Sequence, residues 1–321
     1  MLPDTKDQPL DPLEFCFWNA PADMTLSIAE DEEIKVPQIP LPIKIADMPK
    51  SVMPTEKAIG DGLYDYLCRF PFCLYAADYA KILQQAYPFL ISDIGSQLIL
   101  LDFKNVAPDG LKRKIALLTI LNYLGSDNFG LLHKLGVANF DLGLHYTELS
   151  RVKFQLKEAR VWLEKARRVN AEDTANLNYL GQVCYLNGAY HQARLYWQIA
   201  ADQLEEGEAK NELMARLARI DAGNLPESPL VESLERVAAA MEYMRLDDHL
   251  AARELLEKLE QIGDLPRELP NAEFFYLLGL CRENCDDPSG AYESFSTALE
   301  LDKNHPASQQ ALERLHISNK G

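Results

Sequence analysis

Two segments of the chain carry the same spacing of small and aromatic residues, and this spacing constrains the fold more than any other feature. A Leu-Gly pair is followed by an alanine 12 residues after the glycine, an aromatic residue four further on, and an alanine three after that. The first copy is Leu180, Gly181, Ala193, Trp197 and Ala200, and the second is Leu278, Gly279, Ala291, Phe295 and Ala298. Glycine lets two helices approach closely, and an aromatic ring fills the gap beside a small residue. The spacing therefore predicts two helix-turn-helix units with the same packing.

These residues resemble the tetratricopeptide repeat family. Its helix-turn-helix signature of about 34 residues has a Leu-Gly pair, an alanine, an aromatic residue and an alanine at such intervals. The stretch GAYESFSTALELDKN is similar to the family's second helix and departs from it mainly at Lys303, where the family usually has proline. The resemblance implies a mainly α fold, a helix-turn-helix repeat solenoid whose first helices face a concave side that binds other proteins.

The other segments follow this spacing less closely. Nine prolines in residues 1–54 exclude long helices and central strands, and predict an extended Pro-rich N-terminal arm. Residues 55–128 are predicted to be mainly helical and to fit a degenerate repeat. Two stacked repeats are predicted in 129–207, an extra helix and linker that interrupt the array in 208–232, two more repeats in 233–305, and a C-terminal cap helix in 306–321.

Two of the four repeats keep only part of the signature. In the first, Gly136 precedes Ala159 by 23 residues, which predicts an insertion of 11 residues. In the third, Ala240 and Ala252 keep the interval of 12, with leucines replacing the later residues. In the last repeat, Arg282 stands where the family usually has an aromatic residue, which predicts a tilted or edge-exposed unit.

The arm carries two stripes of alternating apolar residues that require a surface to pack on. They comprise Leu13, Phe15 and Phe17, followed by Ile39, Leu41 and Ile43. Two interpretations are open: the stripes dock on the chain's own helices, or they are donated to a partner as a strand or polyproline segment.

Residues opposite the packing stripe of each first helix are predicted to line the partner-binding groove. They are Asn178, Gln182, Tyr185, Tyr276, Leu280, Glu283, His133, Val137, Phe140, Val237, Met241 and Met244. Methionine surfaces adapt to many apolar ligands. Because few basic residues stand in this set to clamp a carboxylate, the expected ligand is a neutral or basic apolar segment of a protein.

The chain lacks recognisable catalytic or metal-binding motifs. Its six histidines form no HExxH frame, and its six cysteines form no CxxC pair. Gly60-Asp61-Gly62 lacks the lysine of a phosphate loop and predicts a helix irregularity. We therefore predict no catalytic residue, no metal and no cofactor.

Charge and hydropathy restrict the partners and the location. With 32 basic and 49 acidic residues, the net charge of -17 disfavours nucleic acid as a partner. The acidic, Pro-rich start does not resemble a signal peptide, and apolar runs stay short of the roughly 20 residues that span a membrane. The sequence favours a cytoplasmic protein with reduced thiols and no direct membrane insertion, and leaves its oligomeric state open.

Three functions are compatible with these patterns. The favoured one is a non-enzymatic adaptor or chaperone-like scaffold that buries a partner segment in the groove. The first alternative is a structural subunit whose arm inserts into a neighbour. The second is an enzyme with an unrecognised site in residues 57–128.

Overall fold

The computed structural model describes residues 14–29, 32–48, 53–102 and 107–318. The chain divides into two compact units. Unit 1 comprises residues 1–142 and 161–171, and unit 2 comprises residues 143–160 and 172–321. Two of the three boundaries fall inside helices, and each of these two helices contributes residues to both units.

The described part of the arm forms two antiparallel strand pairs. The strands are β1 (Phe15–Asn19), β2 (Thr25–Ala29), β3 (Glu32–Lys35) and β4 (Pro40–Lys44), with β1 paired to β4 and β2 to β3. A strand of a two-stranded sheet has one edge outside the ladder, where the missing N–H of proline removes no hydrogen bond. This arrangement allows β4 to contain Pro40 and Pro42. A short 3-10 helix, Ile45–Asp47, follows β4.

The remainder of unit 1 is helical. Its helices are α1 (Glu56–Arg69), α2 (Ala76–Ala86), α3 (Pro88–Asp102), α4 (Pro108–Leu124), α5 (Phe129–Leu144) as far as residue 142, and α6 (Val152–Val169) from residue 161. The Thr55 side chain caps α1 by accepting a hydrogen bond from the backbone N–H of Ala58. The apolar run at residues 97–103, whose length is typical of either a strand or a helix end, is helical through Asp102, and Phe103 lies outside the described residues.

The apolar side chains of the arm pack on helices of their own chain. Phe15, Leu41 and Ile43 are buried in the unit 1 core, and Ile39 is partly buried against it. The ring of Tyr66 in α1 contacts Phe15 and Phe17 edge-on, with centroids 5.3 and 5.7 Å away. Leu13 lies outside the described residues. For residues 14–48, the structure therefore favours docking on the chain's own helices over donation to a partner.

Two glycines of α1 permit close contacts, one with the ring of Tyr87 and one with strand β4 of the arm. The helix is continuous through Gly60 and Gly62, so the predicted irregularity is wrong. A Cβ at Gly60 would lie 2.7 Å from the ring of Tyr87, and one at Gly62 would collide with the backbone carbonyl of Pro42 in β4. Glycine is required here because the ring and the strand reach the helix backbone itself.

Unit 2 consists of helices joined by short connections. They are a 3-10 helix (Tyr146–Arg151), α6 as far as residue 160, α7 (Thr174–Leu186), α8 (Tyr190–Gln203), α9 (Glu208–Asp221), α10 (Leu230–Arg245), α11 (His249–Ile262), α12 (Asp264–Glu268), α13 (Ala272–Asn284), α14 (Pro288–Leu301) and α15 (Pro306–Ser318). The 3-10 helix buries Tyr146 and Leu149 and packs on α10. It takes up most of the insertion predicted in the first repeat.

The α7–α8 and α13–α14 pairs share one packing arrangement. The ring of Trp197 lies against Gly181, and the ring of Phe295 lies within 2.5 Å of where a Cβ of Gly279 would stand. Both rings are buried. The alanines of the signature, Ala193, Ala200, Ala291 and Ala298, have no exposed surface. The predicted fold class is confirmed: the chain is a mainly α, tetratricopeptide-like helix-turn-helix repeat solenoid.

A third helix belongs to each of these pairs. Helices α13, α14 and α15 begin 98 residues after α7, α8 and α9 respectively. The apolar residues Leu213 and Leu217 of α9 are buried, as are Ala311 and Leu315 at the same positions of α15. Helix α9 therefore completes a three-helix module, α7–α9, that recurs as α13–α15. It occupies the position of the first helix of a further repeat.

The turns within the helix pairs require a left-handed residue at one position. It is Gly188 between α7 and α8, Asp247 between α10 and α11, and Asp286 between α13 and α14, with φ of 74, 64 and 57°. Glycine adopts this conformation freely, whereas aspartate does so at a modest cost.

Arg282 connects three helices of unit 2. From α13 its guanidinium donates to Glu257 and Glu260 of α11 at 3.1 and 2.6 Å, and to the Ser294 hydroxyl of α14 at 2.8 Å. Its side chain is largely buried. At this position, polar contacts replace the aromatic packing that is usual in the family.

Candidate partner-binding surface

The α7 part of the predicted groove is contacted by the chain's own α9. Asn178 is half-buried, and its Oδ1 accepts a hydrogen bond of 3.0 Å from Arg216. The Arg216 guanidinium also lies 5.4 Å from the centroid of the Trp197 ring, which is cation–π geometry. Gln182 is half-buried and Tyr185 is buried. This part of the stripe therefore presents little free surface to another molecule.

A buried carboxylate joins α7, α9 and α12. The Glu268 side chain is 4% exposed. Its Oε2 accepts hydrogen bonds from the Tyr185 hydroxyl at 3.0 Å and from Arg219 at 2.7 Å, and its Oε1 accepts one from Arg267 at 3.1 Å. Burial, together with the negative charge of Glu268, raises the pKa of the Tyr185 phenol, which therefore remains a donor. Because these groups satisfy one another, the network fixes three helices in place.

The same network anchors the linker between α9 and α10. The Asp264 carboxylate accepts hydrogen bonds from the backbone N–H of Glu227 at 2.8 Å and from Arg267 at 2.6 Å. Pro229 packs so closely on Gly188 that a Cβ there would lie 2.9 Å from the proline ring. The linker is thus held at both its middle and its end.

The α13 part of the predicted groove is contacted by α15 and the loop before it. Tyr276 lies 5.9 Å from the Phe295 ring and 5.4 Å from His305, between centroids. Leu280 packs against the cluster that contains Ala311 and Leu315. Glu283 accepts two hydrogen bonds from Arg314, at 2.9 and 2.6 Å. Arg314 stands 98 residues after Arg216, so both modules use the same arginine position to hold the third helix.

The α10 part of the predicted groove leads to an exposed apolar surface. Val237 is fully buried and contributes packing rather than contact surface, whereas Met241 and Met244 are half-buried. Beyond them the side chains become more exposed: Tyr243 is 40%, Leu246 61% and Leu250 62% exposed. We call Tyr243, Met244, Leu246 and Leu250 the turn patch, because they surround the connection between α10 and α11.

The rim of the turn patch is acidic. Glu242 and Arg245 neutralise each other through two hydrogen bonds of 2.6 and 2.8 Å. Asp248 caps α11 by accepting a hydrogen bond from the N–H of Ala251, and the side chain of Asp247 is almost fully exposed. The unbalanced charge at the patch is therefore negative.

In unit 1, the groove residues predicted on α5 are mostly covered. Phe140 is buried, His133 and Val137 are half-buried, and the His133 ring stacks on Phe129 with centroids 5.7 Å apart. They add no open apolar surface comparable to the turn patch.

In residues 57–128, polar side chains converge around Tyr64. The Tyr64 hydroxyl donates to Asp93 at 2.9 Å, Gln97 donates to the Tyr64 oxygen at 2.6 Å, and Arg113 donates to Gln97 at 2.6 and 3.0 Å. Burial is the main cause that raises the pKa of Tyr64, with smaller contributions from Cys68 and Asp93, so the phenol stays protonated. The set joins α1, α3 and α4, and its members are hydrogen-bonded to one another.

Three cysteine thiols of the described residues are held in their protonated form. Burial raises the pKa of Cys68 and Cys73 to about 11 and that of Cys281 to about 12, which keeps them protonated and unreactive near neutral pH.

Within the described residues, no group of three or more His, Cys, Asp or Glu side chains could hold a metal ion. In the same part of the chain, every helix is too short or too polar to cross a membrane.

Sequence reasoning missed Leu246 and Leu250, the most exposed members of the turn patch. Leu246 and Leu250 flank the two aspartates of the α10–α11 turn, and apolar residues in so tight and acidic a turn are a signal that could have identified them. Arg216 could also have been found, because it repeats as Arg314 at the 98-residue interval.

Comparison with known proteins gives structural similarities alone. No model of a protein family matches the sequence, and no curated protein sequence matches it. The structure is similar to a tetratricopeptide repeat protein from Parabacteroides merdae, with 16% identity and a TM-score of 0.39 over 80% of this chain and 96% of that one. It is similar to the TPR domain of P58(IPK), with 15% identity and a TM-score of 0.34 over 71% of this chain and 66% of that one. It is also similar to a human IFIT1 dimer with m7Gppp-AAAA, with 14% identity and a TM-score of 0.30 over 82% of this chain and 56% of that one. The chain therefore spans less than two thirds of the length of the last two.

Proposed function

We propose that this chain is a non-enzymatic protein-interaction scaffold that holds a segment of a partner, as an adaptor or a chaperone-like protein does. The observation that carries the proposal is the turn patch. Leu246 and Leu250 are more than 60% exposed in a unit whose predicted groove residues on α7 and α13 are contacted by its own helices. Exposed apolar side chains grouped in this way mark interaction sites more often than isolated ones do.

The chemistry of the patch defines the kind of segment it fits. Met244 and the two leucines offer adaptable apolar contacts, and Tyr243 offers a ring with a polar end. The acidic rim and the net charge of -17 attract cations and repel anions. The proposed ligand is an amphipathic helix or extended segment with apolar anchors and flanking lysine or arginine. The same acidity supports a protein rather than a nucleic acid as the partner.

The state of the titratable groups supports a binding role over catalysis. The buried Glu268 carboxylate accepts hydrogen bonds from Tyr185 and Arg219, and Tyr64 is engaged by Asp93. A catalytic site needs a nucleophile, an acid or a base that can reach a substrate. The polar clusters in both units instead hold helices together.

A charge reversal within a probe peptide tests the proposal. The probe is a synthetic amphipathic peptide with leucines on one face and lysines on the other, together with a twin in which every lysine is glutamate. Fluorescence anisotropy with the full chain should show binding of the lysine peptide and no binding of the twin. The double variant Leu246→Ser, Leu250→Ser, which removes the apolar contacts without adding charge, should weaken binding about ten-fold or more. Added salt should also weaken it, because the acidic rim contributes through charge.

The matched control is Leu195→Ser on α8, which changes an equally apolar and 53% exposed residue of the same unit. It should leave the affinity unchanged. Equal binding of both peptides, or equal loss in the control, would contradict the proposed surface. Affinity purification with the same three proteins should then identify natural partners that depend on the patch.

The alternative of a structural subunit with a donated arm has no comparable support. The apolar residues that motivated it, among them Phe15, Leu41 and Ile43, are already buried in unit 1 of the same chain.

A further inference from the structure

Helix α6 presents a basic and apolar ridge along its exposed side. The helix contains six basic and two acidic residues, in a chain whose net charge is -17. Its inner side includes Leu156, Ala159 and Leu163, which have no exposed surface. With about 3.6 residues per turn, the residues furthest from this inner side fall on one line along the helix. We call this line the basic ridge; its members, all exposed, are Phe154, Lys157, Val161, Lys165 and Arg168.

The cations of the basic ridge are not neutralised by carboxylates. Within the part of the chain that the structure describes, Lys157, Lys165 and Arg168 form no ion pair. By contrast, two other cations of the helix, Lys153 and Arg167, each pair with a glutamate, at 2.6 and 2.9 Å. The charge of the ridge is therefore available to a ligand.

The immediate neighbours of the ridge leave its charge positive. The two acids of α6, Glu158 and Glu164, flank the ridge and are half-buried, and Glu164 is already paired with Arg167. The Lys165 ammonium lies 4.0 Å from the centroid of the Trp162 ring, a cation–π contact that orients the side chain without removing its charge. At least one cation of the ridge is thus held in position before a ligand arrives.

Apolar surface lies between the cations. Val161 is 40% exposed and stands midway between Lys157 and Lys165 in the sequence. Phe154 is 38% exposed and continues the ridge before Lys157, with the Arg151 guanidinium 5.0 Å from the centroid of its ring. A ligand that fits the ridge therefore combines negative charge with apolar groups.

The spacing along the ridge defines the pattern of an extended ligand. Helix α6 is continuous through these residues, so the helix alone sets their separation. At about 1.5 Å of rise per residue, Lys157 and Lys165 are about 12 Å apart along the axis, with Val161 about 6 Å from each. In an extended segment, side chains on one face recur about every 6.6 Å. An acidic residue, an apolar residue two positions later and a second acidic residue two positions after that therefore reach the lysine, the valine and the second lysine.

We propose that the basic ridge binds an extended acidic segment of a partner protein, in which two acidic residues flank an apolar one at every second position. This surface lies on α6, whereas the turn patch lies on α10 and α11 and is proposed to take segments of the opposite charge. The proposal therefore does not depend on the turn patch. Together, the two surfaces give the chain sites for segments of either charge.

A nucleic acid or an anionic membrane matches the ridge less well. Proteins that bind DNA through charge often make about 6 to 10 phosphate contacts, whereas the ridge supplies three cations. The net charge of -17 repels a long polyanion or a charged surface along its whole length. A short segment senses mainly the charges within a Debye length of about 8 Å. A row of phosphates also has no apolar group to place on Val161.

Fluorescence anisotropy with the full chain tests the basic ridge. The probe is a labelled peptide in which two glutamates flank a central leucine, with one serine between each pair, and its twin has glutamine in place of both glutamates. The wild type should bind the glutamate peptide and not the twin. The double variant Lys157→Gln, Lys165→Gln should raise the dissociation constant about ten-fold. Val161→Ser should raise it about three-fold, because the leucine loses its apolar contact.

The matched control is Lys81→Gln, Lys258→Gln, which changes two exposed lysines of α2 and α11 and alters the net charge equally. It should leave the dissociation constant unchanged, and circular dichroism should show that every variant is folded. An equal loss in the control would overturn the proposal, because it would assign binding to the overall charge. So would a wild type that binds both peptides equally, or a Val161→Ser variant that binds as the wild type does. Ridge-dependent binding of single-stranded RNA or anionic vesicles, without binding of the peptide, would assign the ridge to a polyanion instead.

Discussion

Replacing Gly181 with alanine tests whether the absence of a side chain sets the helix contact in the first module. A Cβ there would collide with the ring of Trp197, which is buried and donates a hydrogen bond to the carbonyl of Asn178 at 3.3 Å. The ring cannot turn away without losing that bond. Overpacking of this kind costs about 1 to 3 kcal/mol, whereas alanine gains about 1 kcal/mol over glycine inside a helix. We expect a net loss of up to about 2 kcal/mol in the free energy of unfolding.

The same substitution should change sign once the ring is removed. Trp197→Ala alone should lower the unfolding free energy by about 3 to 5 kcal/mol. In that background the new Cβ has room, so Gly181→Ala should stabilise the chain by about 1 kcal/mol. The coupling between the two positions is then about 1 to 3 kcal/mol, within the range for residues in contact. Urea unfolding followed by far-UV circular dichroism measures all four proteins.

If Gly181→Ala has the same sign and size with and without the tryptophan ring, the reasoning from close approach is refuted. Trp197→Leu, which removes less volume, replaces Trp197→Ala if the latter does not fold. The pair Gly279 and Phe295 in the second module provides an independent repetition, since its geometry is the same.

Three further predictions concern single residues of unit 2. Arg282→Ala should lower the unfolding free energy by about 1 to 3 kcal/mol, because it removes one hydrogen-bond partner each of Glu257, Glu260 and Ser294. Arg282→Lys, which lacks the planar fork, should recover only part of this in urea unfolding. Asp247→Gly should stabilise by up to about 1 kcal/mol in the same measurement, because it relieves a left-handed conformation with φ of 64°. Cys281 should resist thiol reagents at neutral pH until the chain unfolds, since burial raises its pKa from 9.0 to about 12. Because of the raised pKa, the Cys281 thiol loses its proton at a lower pH in the unfolded state than in the folded state. The stabilisation that it contributes below pH 9.0 should therefore decline as the pH rises toward 12. Over this range, the free energy of unfolding should fall less steeply with pH in Cys281→Ala.

The repeat pairs were predictable because their contacts are local. Gly181, Ala193 and Trp197 lie within 17 residues of one another, so the intervals between them reflect the geometry of two adjacent helices. A pattern over so short a segment allows few alternative packings. The same reasoning extends to the paired helix at Gly279.

Other contacts could not be predicted because their partners are distant in the chain. The Tyr185 hydroxyl meets Glu268 across 83 residues, and Asn178 meets Arg216 across 38. Glu268 does not stand out in the sequence, since glutamate is common on solvated helices, and Arg216 does so only through its repetition as Arg314. The same limit explains why the sequence did not predict that α9 and α15 contact the stripes of α7 and α13.

The sequence by itself determined the helical repeats, the positions of their glycines and rings, and a charge that favours basic partners. It did not decide whether the arm packs on its own chain or on a partner. An alternating apolar stripe shows that the arm needs a surface to pack on, without showing which one. Only the tertiary structure decided that Leu41 and Ile43 are buried on α1, and that Leu246 and Leu250 remain exposed. The physical reason is that hydrophobic burial has no direction of its own: which apolar residues meet depends on the packing of the whole chain.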